Sequence, residues 1–315
     1  MARALGRRFV LLVVVLLVTT FLTALLTSAV RGDTADALAP NATPAVKEQI
    51  RHEIHLDKPL IARYGLWLQD FVHGDLGSFY TGSSTRTDVS QLVRNALPNS
   101  LQLMFFSQVL ALLLAIPLGV ATAYRAGSLF DKSMNTVAFG LLAIPNFVIA
   151  LVLAYYIGVK LGWVSPTYDP SATGFGGHME NFLLPTVSLA AGQVAVYLRL
   201  LRSDMIATLQ EDYITMAKAK GMSSARILWR HALRPSSLTL LTVAGLNVGT
   251  LIGGAVVIEY IFHVPGIGFE IQSAVASHQY AALQSYVAII AVAYIVVNAA
   301  IDVLYSVLDP RIRRA

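Results

Sequence analysis

The chain lacks cysteine and has few charged side chains. Its 315 residues include no cysteine, and Asp, Glu, Lys and Arg together make up 13% of them. The first absence excludes disulfides, thiolate metal sites and cysteine nucleophiles. The low content of charged residues is matched by 56% hydrophobic residues and a mean hydropathy of +0.62. A soluble protein of this length could not bury so much apolar surface. The composition therefore predicts an integral membrane protein.

Motifs for nucleotide binding and for catalysis at membrane depth are also absent. No GxxxxGK[ST] segment occurs, so the sequence contains no P-loop to bind the phosphates of a nucleotide. An intramembrane serine protease or zinc site would need histidine within a span. The histidines all fall in other segments: His52, His55, His73, His178, His231, His263 and His278. We therefore expect no catalytic residue, metal site or cofactor here, and another polypeptide to supply any energy.

Six long apolar runs are present instead. Each approaches or exceeds the ~20 residues that a helix needs to cross the hydrocarbon core. They lie at about residues 9–30, 101–124, 136–158, 182–201, 238–260 and 283–308. The first follows basic residues, as a signal peptide would, but it exceeds the ~7–15 residues of a signal peptide's apolar core, so we interpret it as a retained span. The pattern predicts an all-α membrane protein with six transmembrane helices.

Basic residues are distributed asymmetrically among the connections. They flank the first and last spans and fill alternate connections: Arg3, Arg7, Arg8, Arg125, Lys132, Arg199, Arg202, Lys218, Lys220, Arg226, Arg230, Arg234, Arg311, Arg313 and Arg314. The short connections on the other side offer only Lys160. Cytoplasmic loops carry such an excess, so we expect both termini and residues 211–235 in the cytoplasm. Because this distribution accounts for the net charge of +5, a nucleic-acid function is not favoured.

The spans and the charges together predict the order of domains. Residues 1–30 form a cytoplasmic N terminus and the first span, and residues 31–97 an extracytoplasmic insert. Residues 98–308 form a five-helix core that includes a cytoplasmic loop at 204–237, and residues 309–315 a cytoplasmic tail. Amphipathic patterns predict helices at 44–55 and 60–72 of the insert. The HEIH run at 52–55 has the i,i+3 spacing of a metal pair, but on a solvated helix this spacing is usually coincidence.

Small and polar residues inside the spans are candidates for packing or transport. Gly245, Gly249 and Gly253 recur every four residues, which would let another helix approach closely, although glycines at this spacing could also line a pathway. Pro117 and Pro145 lie inside spans, where neighbouring helices satisfy the freed backbone groups. Polar side chains are few: Gln108, Gln193, Asn247, Asn298 and Asp302. Asp302 lies near the cytoplasmic end, where we expect it to meet interfacial water or a basic residue such as Arg199.

A polar, basic segment at 211–235 separates two of the apolar runs. Its pattern predicts two short helices that meet at Gly221. The first begins at about Asp204 and ends at Lys218 and Lys220, with glycine following as at a helix C terminus. Ser223 or Ser224 caps the second helix and Pro235 stops it. A helical hairpin at a membrane surface is suited to docking a soluble partner, whereas a solvated basic loop that binds anionic lipid is the alternative.

This hairpin resembles the ATPase-coupling loop, or EAA motif, of ABC importer permeases. Of the general family pattern, Ala217, Gly221 and Leu233 match. The version in the peptide/nickel branch is Asp-Tyr, then Ala-x-Ala-Lys-Gly, then His-Ala-Leu-Arg. The matching residues are Asp212, Tyr213, Ala217, Lys218, Ala219, Lys220, Gly221, His231, Ala232, Leu233 and Arg234.

Further motifs of that branch extend the resemblance over nearly the whole chain. A Phe-x-x-Pro-Gly-x-Gly loop is matched by Phe262, Pro265, Gly266 and Gly268. The C-terminal pattern is similar at Asp302, Tyr305 and residues 308–313, and the first-subunit signature at residues 56–60, Tyr64 and residues 74–78. Three positions depart from the family. His55 replaces the usual Gly, Asn99-Ser100 stands where Thr commonly follows Leu-Pro, and Pro235 replaces Asn.

The resemblance implies the permease subunit of an ATP-driven importer for dipeptides or oligopeptides, in a bacterial plasma or inner membrane. Its expected partners are a second homologous permease, two cytoplasmic ATPases that carry ATP and Mg²⁺, an extracytoplasmic substrate-binding protein and membrane lipid. Small Ala217 and Ala219 would permit close approach of the ATPase, and Lys218, Lys220 and Arg226 would offer charged contacts. Nickel or another small solute is the alternative cargo. An ATPase-independent channel or ion-coupled carrier is the alternative of a different class.

Overall fold

The computed structural model describes residues 2–30, 34–81 and 85–308, with the side chains of residues 10, 13–30, 34–80 and 86–300. This part of the chain is predominantly helical. The helices are α1 Ala2–Ser28, α2 Thr34–Leu38, α3 Pro44–Glu53, α4 Leu60–Val72, α5 Val89–Tyr124, α6 Leu129–Ala143, α7 Asn146–Leu153, α8 Gly174–Leu209, α9 Asp212–Ala219, α10 Ser224–Arg226, α11 Leu233–Leu246, α12 Val248–Phe262, α13 Ile267–Ala276 and α14 Tyr280–Leu308. Two π-helical turns, Ala154–Lys160 and Ile227–Ala232, and an antiparallel hairpin of β1 Ser78–Thr81 and β2 Thr85–Asp88 complete the described elements.

Three described helices, α5, α8 and α14, are long and apolar enough to cross a membrane, and the number rises to five if each bent pair is one span. Two predicted spans are thus not straight. The span at 136–158 is α6 followed by α7, bent by 101°, and that at 238–260 is α11 followed by α12, bent by 47°. Helix α1, Ala2–Ser28, contains the apolar stretch Val13–Ser28 within its described side chains.

The sharper bend has a local cause at Pro145. A proline disfavours the helical conformation in the residue before it, and Ile144 is extended, with φ −97° and ψ 123°. Helix α7 begins directly after Pro145. Pro117, by contrast, lies within the continuous helix α5. The two prolines therefore have different consequences, although the sequence placed both inside spans.

The first compact unit comprises Met1–Ser100 and Pro265–Val297. Its core is apolar, with Val89, Ile267 and Tyr286 at most 1% exposed. Helix α4 is attached at Trp67, whose indole Nε1 donates to Ser285 Oγ at 3.1 Å. The strand β1 is attached through Gln279 Nε2, which donates to the Tyr80 carbonyl at 2.6 Å.

The second unit comprises Leu101–Val264 and Asn298–Ala315, of which residues 309–315 lie outside the described chain. Helix α8 runs through its centre and packs against α6, α7 and α11. Tyr197 and Leu201 of this helix are fully buried in one apolar cluster, and Phe182 and Leu189 in another. Gly119 of α5 faces Leu201, so a Cβ at this glycine would lie 3.1 Å from the leucine side chain.

Three histidines occupy left-handed positions at helix ends. His55, His263 and His278 have φ values of 55°, 54° and 59°. Each follows a helix whose last turn is closed by two backbone bonds of the Schellman type; at His55 these are His55 N to the His52 carbonyl and Leu56 N to the Arg51 carbonyl. Glycine is the usual residue in this conformation. The departure of His55 from the family's glycine therefore conserves the backbone geometry at some steric cost.

Candidate functional site

The predicted hairpin is present, but its first helix starts later than the sequence indicated. Helix α8 continues past Asp204 to Leu209, and the chain breaks at Gln210 before α9 begins at Asp212. Asp204 therefore belongs to the long helix α8. The predicted start at Asp204 was wrong because no glycine or proline marks the break.

Gly221 ends α9 in a left-handed conformation, with φ +76°. Gly221 N donates to the Lys218 carbonyl at 2.9 Å and Met222 N to the Ala217 carbonyl at 3.2 Å, which is the Schellman pattern. A Cβ on Gly221 would meet no atom within 4 Å. The need for glycine therefore comes from the backbone angle and not from crowding.

Pro235 does not stop the second helix, contrary to the prediction. Short helix α10 passes through the π-helical turn Ile227–Ala232 into α11, and Pro235 is the third residue of α11. Proline has no N–H, so within a helix the carbonyl four residues earlier loses its usual donor. The carbonyl oxygen of His231, four residues earlier, lies 3.5 Å from the Tyr213 hydroxyl. The helical run Ser224–Leu246 therefore continues through the proline and includes the π turn.

The hairpin, residues 211–235, has a buried face and an exposed face. Ile214, Ala217 and Ile227 are at most 7% exposed and belong to the same apolar cluster as Leu201. Ala217 therefore packs inward and does not face a partner, which corrects the expectation that it permits close approach. Ala219 is exposed.

The exposed face combines large apolar and basic side chains. Tyr213, Met216 and Trp229 are 46%, 60% and 52% exposed. The remaining polar positions predicted for the coupling loop are exposed or, in His231, half-buried: Asp212, Lys218, Lys220, His231 and Arg234. Partial burial and the nearby carboxylate of Glu211 raise the pKa of Tyr213, so its hydroxyl stays protonated at neutral pH. Met216 was not among the predicted residues, although its position on α9 opposite Ile214 was a signal for exposure.

The hairpin is connected to the long helices of the second unit by packing and by one hydroxyl pair. Its buried residues share a cluster with Ala115 of α5, Tyr197 of α8 and Leu240 of α11. Thr208 Oγ1 at the end of α8 lies 2.9 Å from Ser236 Oγ of α11. A displacement of α9 would therefore be transmitted to these helices through close-packed side chains.

A buried ion pair joins α6 to α8 in the same unit. The Asp131 carboxylate is 3% exposed and accepts hydrogen bonds from Arg202, including one of 2.7 Å from Arg202 Nη2. Gly127 N and Asn135 Nδ2 also donate to it, at 2.9 and 2.8 Å. Such geometry fixes the two helices only because every lone pair is used. Arg202 was predicted only as one of the cytoplasmic basic residues, and its pairing with Asp131 was not predicted.

The Phe-x-x-Pro-Gly-x-Gly loop is ordered by different partners at its two ends. In the second unit, the Phe262 carbonyl accepts from Tyr168 N at 2.7 Å. In the first unit, Asn99 Nδ2 donates to the Pro265 carbonyl and Ile267 N to Ser100 Oγ, both at 2.8 Å. Gly266 precedes α13 and Gly268 lies buried in its first turn. The two residues that depart from the family at 99–100 are thus those that bind this loop.

Sequence comparison decides the family. The model of the binding-protein-dependent transport system inner membrane component matches residues 115–314, and that of its N-terminal region matches residues 1–103. The chain belongs to this family. It is therefore an integral membrane permease.

Several curated permeases are similar over nearly their full length. The oligopeptide transport system permease protein AppB of Bacillus subtilis (strain 168) is 36% identical, over 99% of this permease and 99% of the relative. A putative peptide transport system permease protein of Brucella abortus (strain 2308) is 33% identical over 95% of each chain. The metal-staphylopine import system permease protein CntB of Staphylococcus aureus (strain NCTC 8325 / PS 47) is 31% identical, over 98% of this permease and 97% of the relative.

A solved structure has a similar fold. The MetNI methionine ABC transporter in an inward-facing conformation aligns with a TM-score of 0.56 and 15% identity, covering 70% of this permease and 97% of that chain. At this identity the likeness concerns the fold alone.

The glycine row of α11 and α12 is only partly packed in the permease. Gly245 and Gly249 are half-buried, and Gly253 is exposed with no atom within 4 Å of a Cβ built on it. The neighbouring Gly254 makes the close contact instead, because a Cβ there would lie 2.8 Å from Leu189 of α8. Gly254 lies outside the four-residue spacing, so its packing role was not predicted from the sequence.

Polar groups of the permease gather at its two helix bends. Asn247, between α11 and α12, donates through Nδ2 to Gln193 Oε1 at 3.1 Å, and Gln193 Nε2 donates to Thr250 Oγ1 at 3.0 Å. Asn146 begins α7 after the other bend, and its Oδ1 would lie 3.1 Å from a Cβ at Gly192. Non-helical backbone at membrane depth is found where it is buried in protein or lines a cavity. The bends are therefore candidates for pathway segments.

Other polar residues of the spans have local partners. Gln108 Oε1 accepts from the Tyr197 hydroxyl at 3.2 Å. Arg199, suggested as a partner of Asp302, lies over the Phe139 ring at 3.9 Å. The side chains of Asp302 and Tyr305 lie outside the described residues, as does the chain from residue 309. Glu259 of α12 is 1% exposed and was omitted from the predicted polar set, although an acidic residue within a span is a signal of function.

Proposed function

We propose that this permease is a subunit of an ATP-driven importer of short peptides. It would form the translocation pathway with a second, homologous permease, and two cytoplasmic ATPases would bind ATP and Mg²⁺. An extracytoplasmic binding protein would deliver the substrate. Both termini and the hairpin would lie in the cytoplasm of a bacterial plasma or inner membrane, as the basic residues indicate.

One observation carries this proposal: the hairpin presents a protruding apolar and basic face while its opposite face is buried. Met216 and Trp229 are more than half exposed on a segment too polar to lie within the hydrocarbon core. Exposed aromatic and methionine side chains are enriched at the cores of protein interfaces, which supports a protein partner for this face. A groove on a soluble ATPase is the partner that this face fits.

The buried face supports a mechanism for coupling. Closure of an ATPase pair on ATP would move α9, and Ile214 and Ala217 would transmit the movement to α5, α8 and α11 through the shared core. Gly221 holds the angle between α9 and α10, so that the hairpin moves as one body. Rigid-body motion of packed helices would then alternate the access of the pathway.

The cargo is proposed from the relatives and from the bends of the spans. The names of two of the three similar permeases refer to peptides, and the third refers to metal-staphylopine. Peptides are therefore the first candidate, and nickel or another metal-containing small solute is the second. The amides of Asn146, Gln193 and Asn247 would offer peptide groups both donors and acceptors.

We expect a cysteine placed at Met216, in a chain that has none of its own, to crosslink to the ATPase subunit. The permease would be labelled with a benzophenone maleimide before assembly and irradiated, and the products would be identified by mass spectrometry. Ile61→Cys is the matched control, because Ile61 is 78% exposed on α4, far along the chain from the hairpin. Equal ATPase crosslinking from both positions, or none from Met216→Cys, would contradict the proposed docking.

We expect peptide uptake into proteoliposomes only when both permeases, the ATPases, the binding protein and hydrolysable ATP are present. The permease alone should release no trapped solute, because the proposed pathway forms only together with the second permease and is opened by the ATPases. Replacing ATP by a non-hydrolysable analogue provides the control. Flux through the permease alone, with or without an ion gradient, would instead support a channel or an ion-coupled carrier.

A further inference from the structure

The first unit contains a cavity of about 550 Å³ that the proposed coupling mechanism does not use. Its wall includes Arg63, Trp67 and Asp70 of α4, the strand residue Tyr80, and Tyr280 and Gln284 of α14. Small-molecule sites commonly have volumes of ~300–1,000 Å³ and a few converging polar groups among aromatic ones. The cavity therefore has the size and composition of a site for a small polar ligand.

Two hydrogen-bond donors in this wall lack acceptors within the described residues. Gln284 is 8% exposed, and its Nε2 is buried without a hydrogen-bond partner. Arg63 is half-buried and forms no described ion pair, and burial lowers the pKa of its guanidinium below the usual value. A buried donor without an acceptor is destabilising, and Gln284 Nε2 is such a donor. The partly desolvated guanidinium of Arg63 would in addition gain from an anionic partner.

Two other carboxylates of the wall, Glu53 and Asp75, already have hydrogen-bond donors. Glu53 accepts from the Tyr80 hydroxyl at 2.8 Å and lies 3.3 Å from Arg86. Asp75 Oδ1 accepts from Gly77 N at 2.9 Å. The missing acceptor is therefore not supplied by these carboxylates. An incoming carboxylate would satisfy Arg63 with charge-assisted bonds.

The spacing of three cavity residues along α4 indicates the length of the ligand. Arg63, Trp67 and Asp70 follow one another at i, i+4 and i+7, which places them on one face of the helix. Seven residues of α-helix rise about 10.5 Å. An extended chain of three residues spans about 10 Å, so the length of a tripeptide matches the rise of α4 between Arg63 and Asp70.

We propose that this cavity binds a short zwitterionic peptide, with the carboxylate on Arg63 and Gln284 and the ammonium group on Asp70. Trp67 would lie against the middle residue. This inference rests on the proposed import of peptides. It adds a peptide site in the first unit to the candidate pathway segments at the helix bends of the second unit. In this proposal, residues that precede α5 in the chain contact the cargo directly.

The test uses Trp67 as the reporter. Trp163→Phe and Trp229→Phe leave Trp67 as the single tryptophan of the full chain, which is placed in phosphatidylcholine nanodiscs. We expect trialanine to change the Trp67 emission saturably. Trialanine amide and N-acetyl-trialanine should each bind about tenfold more weakly, since each lacks one charge-assisted contact.

Substitutions identify the residues responsible. We expect Arg63→Gln to weaken trialanine about tenfold and to abolish the discrimination against the amide, and Asp70→Asn to do the same for the N-acetyl derivative. Arg94→Gln is the matched control, because Arg94 is exposed on α5 and does not line the cavity. If Arg63→Gln impairs folding, Asp70→Asn still decides the ammonium end. Equal binding of all three peptides, or binding unaffected by both substitutions, would overturn the proposal.

Other sources of anionic groups are separated by further arms. Inorganic phosphate that competes as well as trialanine would reveal a general anion site, and phosphatidylglycerol nanodiscs that produce the signal without peptide would reveal a lipid headgroup site. Trialanine-stimulated ATP hydrolysis by the complete transporter is measured in parallel. If trialanine stimulates ATP hydrolysis but does not change the Trp67 emission, the proposed cavity site is wrong and the proposed import of peptides stands. If trialanine changes the Trp67 emission but does not stimulate hydrolysis, the proposed cargo is wrong and the proposed cavity site stands.

Discussion

Gly221→Val is expected to reduce substrate-stimulated ATP hydrolysis of the assembled transporter at least about tenfold while the permease still inserts. The left-handed conformation costs a residue with a Cβ about 1–2 kcal/mol, and a β-branched residue has further restrictions. Relief of this strain would change the angle between α9 and α10 and misplace the exposed face of the hairpin. A displacement of about 1 Å in a docking element is sufficient to lose a large part of a coupled rate.

The chain offers a control at Gly162. This glycine lies beyond the π-helical turn Ala154–Lys160 with φ +64°, and has open space around its Cβ position. Gly162→Val should therefore impose a similar strain far along the chain from the hairpin and preserve stimulation. Gly221→Asn should also preserve most of it, because asparagine tolerates the left-handed region. If both valine variants lost stimulation equally, general destabilisation and not coupling would be the cause.

Asp131→Ala is expected to destabilise the permease by about 3–5 kcal/mol, since removal of one partner leaves a buried charge unpaired. Arg202, 25% exposed, would lose its carboxylate, and Gly127 N and Asn135 Nδ2 would each lose an acceptor. The measurement is the thermal unfolding of the detergent-purified chain, followed by tryptophan fluorescence. Insertion into the membrane should persist, because the apolar runs remain.

Two comparisons test whether burial causes this loss. Glu48→Ala removes an exposed pair with Arg51, at 2.7 Å, and should cost less than about 1 kcal/mol. The double variant Asp131→Leu with Arg202→Leu should recover much of the stability, because no charge is then left unpaired. A loss from Asp131→Ala no larger than that from Glu48→Ala would show that the pair contributes as a surface contact does.

The helical class and several helix positions followed from local patterns. Amphipathic periodicity predicted α3 and α4 within about two residues, because the period of an exposed helix depends on neighbours in the sequence. The left-handed turn at Gly221 was equally local, since glycine after lysines marks a helix end. The β1–β2 hairpin carried no such signal in its polar residues, and it was not predicted.

The orientation of side chains around the hairpin could not be read in the same way. Ala217 and Ala219 are both small and lie two residues apart, so composition does not distinguish the buried one from the exposed one. The contact of Ala217 with the core of α5, α8 and α11 decides it. Pro235 likewise lies inside the continuous helical run Ser224–Leu246, whereas proline alone predicts an end.

The amino-acid sequence by itself determined that this protein lies in a membrane, that it is helical, and that it belongs to the ABC importer permeases, because hydropathy, charge asymmetry and motifs are properties of neighbouring residues. Only the tertiary structure decided which glycine packs, that Asp131 meets Arg202, and that Arg63 and Gln284 share one cavity. These contacts join residues from 65 to 221 positions apart, and close packing brings such residues together without leaving a local pattern.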